Sequence, residues 1–397
     1  MFDTIGSKVQ STLAGVMMEF DLSQEQESFR KVVREFAETE IRPYASQWDE
    51  KNIFPLQVVK EMGKMGLFGL VFPEEYGGSG ADFTTLCIAI EELAKVDSSI
   101  AITLSAGVGL GASPVYHFGS DEQKSKWLPR LCAGEMLGAF GLTEPDGGSD
   151  AGSTLTKAKK ISEDEWSISG AKAYITNSGT EITGFITVTA STDDGVTAFL
   201  IPYGTPGLTI EPAYKKIGWH ASDTHGVVLD DVRVPNSAVL GAEGKGFAQF
   251  LATLDEGRIA IAALALGLIQ GCRDEAVAYA KTRNAFGGPI GRYQGVAFKC
   301  ADMDVDVEVV RNLVYKAAWL RDSGRPFKRE AAIAKLYSSE AAMRSARDAV
   351  QIFGGAGYMD ETPVARYYRD AKILEIGEGT SEVQRVVLAR QLGLRPY

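Results

Sequence analysis

Residues 165–179 read EWSISGAKAYITNSG. Apolar and polar side chains alternate along this segment, which is the two-residue period of a strand, and Asn-Ser-Gly punctuates its end. Working outward, 184–192 (GFITVTAST), 197–204 (TAFLIPYG), 208–214 (LTIEPAY) and 225–235 (HGVVLDDVRVP) alternate in the same way or run β-branched. Gly, Pro, Asn and Asp separate them. These segments mark a middle β module over 136–245.

On either side the period lengthens to that of a helix. In 19–135, Ser23-x-x-Gln26 is a capping box, with Phe29, Val33 and Phe36 following at helical spacing, and Pro43 ends or bends that helix. Segments 55–70 and 84–96 are further helical patterns. Residues 98–120 contain no Asp, Glu, Lys or Arg. They suit a buried core helix with small residues for close packing, or the wall of an apolar pocket, and the two are compatible. In 246–397, the stretch 254–283 is apolar nearly all round in its middle, as a helix buried on most sides would be. Met303, Val307, Val310, Val314 and Ala317 are spaced four and three apart. Ala332, Leu336, Ser339, Met343, Ala346, Val350 and Phe353 continue that rhythm to the stop at Gly354-Gly355. Packed antiparallel helices follow. Residues 1–18 are expected to be an extension with little role in the fold. The order helices, strands, helices describes an α+β multidomain chain able to clamp a flat ligand at its domain junction.

Composition narrows the function. The chain has 397 residues, 45% hydrophobic and 23% charged, with a net charge of −11. That argues against a nucleic-acid partner, which needs a basic face. Four scattered cysteines and three histidines offer no metal-ligand set, and free thiols fit a reducing cytoplasm. No apolar run is expected to span a membrane.

Residues 376–381, IGEGTS, place one acid between two glycines. Glycine permits unusual dihedrals and close approach to the backbone. Ser381-x-x-Gln384 then opens a helix, and N–H groups ahead of a helix can bind negative charge. Glu378 is therefore either a solvated loop acid or a base beside oxyanion donors, an arrangement suited to proton abstraction next to a carbonyl. Four other segments stand out: 140–153 (FGLTEPDGGSDAGS), 173–179 with Tyr174 and Thr176 on one strand face, 281–295 with Arg283, Phe286 and Gln294, and 351–358 (QIFGGAGY).

Taken together, LTEPDGGSD, YITNSG, LDEGRIAIAALALGLIQG, QIFGGAGY and YYRDAKILEIGEGTSEVQR resemble the acyl-CoA dehydrogenase family of flavoproteins. The resemblance runs from about Glu19 to about Leu394, and the pattern is closest to the short-chain and butyryl group. It implies an N-terminal α-helical domain, a β-barrel-like middle domain and a C-terminal four-helix bundle, usually assembled as a homotetramer that binds FAD. By position, Phe140, Leu142, Thr143, Gly148, Ser149, Tyr174 and Thr176 should line the flavin. Arg283, Phe286 and Gln294 should hold the rest of FAD across a subunit contact, and Gln351, Gly355, Thr380 and Glu382 should complete the site. Glu378 matches the catalytic base. Asp255 and Arg258 should position the substrate with Ser149, Gly377 and Gly379, and segment 218–224 (GWHASDT) should also touch CoA. The implied reaction is α,β-dehydrogenation of a short- to medium-chain or branched acyl-CoA, with an electron-transfer flavoprotein as acceptor.

Four positions depart from the family pattern. Gly377 stands where many relatives have Tyr, Tyr174 where the family has a Trp packed on the flavin, His220 where Arg is common, and Glu382 where Gln is frequent. Gly257 occupies the position from which some branched-acyl relatives present their base, which leaves Glu378, with the adjacent Glu256 as a rival. An oxidase or monooxygenase on the same fold and a non-catalytic flavin-binding interaction protein are the alternative readings.

Overall fold

The structure, a computed structural model, describes residues 21–396; the expected N-terminal extension lies outside the described residues. Helix α1 (Gln24–Phe36) starts on the capping box: Ser23 Oγ accepts from Gln26 N, and Gln26 Oε1 accepts from Ser23 N, each at 3.1 Å. A π-helical turn, Ala37–Ile41, ends it ahead of Pro43. Helices α2 (Ala45–Lys51), α3 (Leu56–Lys64) and α4 (Phe83–Ala94) follow. Helix α5 (Ser98–Ser105) then runs through a π-helical segment, Ala106–Ala112, into α6 (Ser113–Phe118), and α7 (Asp121–Cys132) completes the region. Contrary to the sequence expectation, Ser98–Phe118 is long and apolar enough to cross a membrane. Its side chains instead pack into the largest core cluster, whose small residues admit neighbouring elements closely: the Cα of Gly138 would lie 3.1 Å from a Cβ placed on Gly111.

The middle region is one seven-stranded sheet. Strands β1 (Leu137–Gly141), β4 (Thr183–Thr192), β2 (Lys157–Lys160), β3 (Glu165–Thr176), β7 (Thr224–Pro235) and β6 (Leu208–Ile210) lie in that order, with β5 (Gly195–Pro202) on β4. Strands β1 and β4 are parallel, whereas β3 and β7 are antiparallel. Tyr174 does not sit in regular strand. The register slips between Lys172 and Ile175, and Tyr174 takes a left-handed φ of 60°, a bulge built on a residue that pays for that conformation.

Helix α8 (Gly246–Thr282) is the spine of the C-terminal region, and every residue from Gly257 to Cys272 is buried. A short hairpin, β8 (Asn284–Ala285) and β9 (Gly288–Pro289), leads to α9 (Gln294–Asp322) and then α10 (Lys328–Phe353). Helices α11 (Pro363–Leu374) and α12 (Ser381–Gln391) pack on α10. The expected α9 stripe is buried throughout. On α10 the buried face is wider than the stripe expected. Ala332, Ser339, Ala346 and Phe353 are buried as expected and Leu336, Met343 and Val350 are half-buried, while a neighbouring row through Ala331, Lys335, Ser338, Ala342, Ser345 and Ala349 is buried as well. Small residues let α10 lie close against α8.

Polar ties join the regions. Buried Glu91 on α4 accepts from Gln270 Nε2 and Tyr315 Oη, both at 2.6 Å. Asp370 on α11 accepts from Ser98 Oγ at 2.7 Å and from Trp219 N at 2.6 Å, so one buried carboxylate pins the 218–224 segment to both helical regions.

Candidate active site

The loop between α11 and α12 carries Glu378. Gly377 N donates to Ile373 O at 2.8 Å, after which the chain turns left-handed at both Glu378, φ 51°, and Gly379, φ 92°. A non-glycine residue holds that conformation only when its surroundings enforce it. Two side chains do so from below: Lys335 Nζ donates to Gly379 O at 2.6 Å, and Gln384 Nε2 to the same oxygen at 3.0 Å. The sequence placed the helix cap at Ser381, but it is Thr380. Thr380 Oγ1 accepts from Val383 N at 3.2 Å, and Gln384 reaches back to the loop rather than closing a box. Among the described residues, the N–H groups of Glu378, Gly379 and Thr380 donate to no acceptor, so they are free to meet developing negative charge.

The carboxylate faces inward. Glu378 Oε2 is buried and has no hydrogen-bond partner. It lies over Gly257 of α8, where a Cβ would overlap Oε2 and sit 2.9 Å from Cδ. Burial pushes the carboxyl up to about 7, against the pull of Lys335 and Arg258. Arg258, 4% exposed, is ion-paired with Asp255, whose other oxygen lies 3.6 Å from Lys328 Nζ. The rival Glu256 is occupied elsewhere: Arg321 Nε is 3.0 Å from its Oε1 and His117 Nε2 is 3.7 Å from its Oε2.

A second group of expected residues gathers at the end of β1. Phe140 stacks on Phe250 of α8 with ring centroids 4.0 Å apart, and Leu142 joins the same apolar cluster. Thr143 O accepts from Ala173 N at 2.9 Å, which draws Thr143 toward Tyr174 and Thr176. Gly148 and Ser149 lie exposed in the following turn. Glu144 braces this loop from within. It accepts from Thr154 Oγ1, from Leu155 N at 2.6 Å, from Thr156 N at 3.0 Å and from Lys172 Nζ at 2.7 Å. Burial alone would raise its pKa, but Lys172 and these donors bring it down to about 2.

The third group lies apart. Arg283 caps the far end of α8, Phe286 tips the hairpin, Gln294 begins α9, and Gln351 and Gly355 flank the end of α10. Tyr279 stacks on Phe353 at 4.1 Å, so the ends of α8 and α10 are neighbours. Arg283 follows Phe250 by 33 positions along α8, about 50 Å along the axis. One chain therefore does not bring the third group to the other two. His220 is likewise not turned to a ligand, since its ring meets Asp49 Oδ1 at 3.0 Å and Lys216 O at 2.9 Å.

Sequence reasoning missed Lys335 and Glu144. A lysine at a buried step of the α10 rhythm was the available signal for Lys335. For Glu144 it was an acid inside a Gly-rich loop facing the strand lysine Lys172.

The residues suit a flat aromatic ligand with polar edges. Tyr174 is 65% exposed, its ring presented from a left-handed backbone, while Asn177 Oδ1 is buried without a partner beside Thr176.

The chain matches three domain families: the acyl-CoA dehydrogenase N-terminal domain over residues 23–135, the middle domain over 139–232 and the C-terminal domain over 244–393. It is 51% identical over 380 residues to the probable acyl-CoA dehydrogenase YngJ of Bacillus subtilis, covering 94% of this chain and 100% of that one. Butyryl-CoA dehydrogenase from Megasphaera elsdenii superimposes with a TM-score of 0.92 at 45% identity, over 94% of this chain and 100% of that one. A chain from a structure described as the electron transferring flavoprotein of Acidaminococcus fermentans matches with a TM-score of 0.92 at 42% identity, over 94% and 99%. With three domains matched in order around a buried, unpartnered carboxylate, this chain belongs to the acyl-CoA dehydrogenases, the FAD-dependent oxidoreductases of fatty acid β-oxidation.

Proposed function

We propose that this chain oxidises a short- to medium-chain or branched monocarboxylic acyl-CoA to its trans-2-enoyl-CoA, with Glu378 as the base. The observation that carries this is the buried Glu378 Oε2 with no hydrogen-bond partner, whose pKa is raised to about 7. An α-proton of a thioester is too weak an acid for an ordinary carboxylate in water. Desolvation strengthens the base, and the free N–H groups at Glu378 and Gly379 are suited to polarise the thioester oxygen as charge develops there. The proton moves from the α-carbon to Oε2. FAD, when bound, supplies the acceptor for the hydride that leaves the β-carbon.

Phe140, Leu142, Thr143 and Tyr174 would hold the ring system, with Ser149 and Thr176 at its edge. Thr380 and Glu382 would complete that half of the site. Arg283, Phe286, Gln294, Gln351 and Gly355 would serve the FAD of a second copy, a reading supported by the roughly 50 Å of α8 between Phe250 and Arg283. A homotetramer in the cytoplasm, reoxidised by an electron-transfer flavoprotein, fits this arrangement. Asp255 and Arg258 would orient the substrate beside the base. The charge-free 98–120 stretch offers no counter-ion for a second carboxylate, which favours a monocarboxylic substrate.

The deciding variant is Glu378→Gln. It should keep FAD and acyl-CoA binding and lose turnover by about 10²–10⁴-fold, the usual contribution of a positioned base. Turnover within about tenfold of the parent would remove Glu378 from the role.

A further inference from the structure

Lys335 is fully buried on α10, in a stripe otherwise made of alanine and serine. Among the described residues no carboxylate lies within ion-pair distance of it, and it donates to a neutral acceptor, Gly379 O at 2.6 Å. A buried ammonium held by one carbonyl is a costly arrangement, and a lysine that only packed could be replaced by methionine at little loss. The carbonyl it grips belongs to the residue after Glu378, at the second of two successive left-handed positions.

We propose that Lys335 is a positioning residue for the base, fixing the Glu378–Gly379 turn from inside the bundle and holding a positive charge behind the carboxylate.

The surrounding charges agree. Burial lowers the pKa of Lys335 to about 8, and Glu378 is the carboxylate that does most to hold it up. Arg258 on α8 opposes it, while Glu375 at the end of α11 and Glu382 on α12 support it. Toward Glu378, burial is opposed first by Lys335 and then by Arg258. Arg258 is already paired with Asp255, and Lys328 also approaches Asp255, so Lys335 is the cation of this group that lacks a carboxylate of its own. Removing its charge while leaving the volume should raise the carboxyl further, so that the base is protonated over more of the working range. This rests on Glu378 being the base.

The test compares Lys335→Met and Lys335→Gln with the parent, using butyryl-CoA as the probe. The acidic limb of kcat/KM, which reports the free enzyme, should move up by about one pH unit, with about a tenfold loss below the limb. An infrared titration of the carboxyl band, assigned by its loss in Glu378→Gln, should move in the same direction. If both variants fail to fold, the reciprocal measurement serves: in Glu378→Gln the Nζ resonance of Lys335 should titrate at lower pH than in the parent. Limbs and bands unmoved in folded Lys335 variants, or an unmoved Lys335 resonance, would overturn the proposal. An active Glu378→Gln would instead overturn the base assignment, and the two failures are read separately.

Discussion

The carboxylate of Glu378 occupies the space that a side chain on Gly257 would need, so α8 stays bare at the point where that carboxylate lies against it. Two sequence features that read as separate are thus one feature in space: the glycine ahead of Arg258 and the acid between Gly377 and Gly379. Gly257→Ala tests the relation. Alanine favours a helix over glycine by about 1 kcal/mol, so the thermal midpoint should hold or rise. The displaced carboxylate should cost about 10²-fold in kcat, as misplacements near 1 Å do. A melt together with a turnover assay checks both halves. A fall in stability with kcat unchanged would show that the carboxylate had not been displaced.

Activity and stability should respond to pH in opposite directions through the same group. In the proposed role Glu378 must be ionised to accept a proton, so kcat/KM should fall about tenfold per unit as pH drops below about 7. The folded pKa is raised above the ordinary value of 4.5, so the folded state binds this proton more tightly than the unfolded chain does. The stability it contributes is fully present below 4.5 and is lost as pH rises through about 7, a change of about 3 kcal/mol. Glu378→Gln should therefore gain stability over the parent across that window. Denaturant melts at both ends of it would show the difference widening with pH.

Much of this was legible because local chemistry and tertiary role coincide. The period change at 136–245 and the uniformly apolar middle of α8 each have one comfortable solution, a sheet edge-to-edge with its neighbours and a helix wrapped on all sides. The glycines around Glu378 announced unusual dihedrals, although the left-handed residues are Glu378 and Gly379 rather than Gly377. Lys335 was hidden because burial of a lysine depends on what lies opposite, and the buried face of α10 extends one row beyond the apolar stripe, through small residues packed against α8. The cap at Thr380 was missed by one position because both Thr380 and Ser381 can cap. The separation of Phe250 from Arg283 was implicit in the length of α8 and needed only the rise per residue.

Glu144 and Lys172 make the loop that precedes Ser149 depend on a buried ion pair, with Lys172 Nζ also donating to Thr189 Oγ1 at 3.2 Å. Removing one partner strands the other, a loss of about 3–5 kcal/mol. Glu144→Gln should lower stability by about that much and loosen FAD, whereas Glu144→Gln combined with Lys172→Met should recover part of the stability. Urea unfolding and the FAD-to-protein ratio after gel filtration would decide. Equal destabilisation of single and double variants would mean that the carboxylate acts on the loop backbone alone.

Gly377 offers a way to reach substrate size without touching Glu378. A Cβ there would meet Ile373 O at 3.4 Å and Ile373 Cγ1 at 3.9 Å, ordinary contacts that leave room for a larger side chain. The loop is anchored through Gly377 N, which any non-proline residue keeps, and through Gly379 O, which the substitution does not touch. Gly377→Tyr should therefore fold and bind FAD as the parent does while placing an aromatic wall next to Glu378. Overpacking a site costs about 1–3 kcal/mol, so kcat/KM for octanoyl-CoA should fall by about tenfold or more relative to butyryl-CoA. The ratio of the two substrates cancels any general loss of active enzyme. A ratio equal to the parent's would mean that residue 377 faces away from the acyl chain and that chain length is set on another wall.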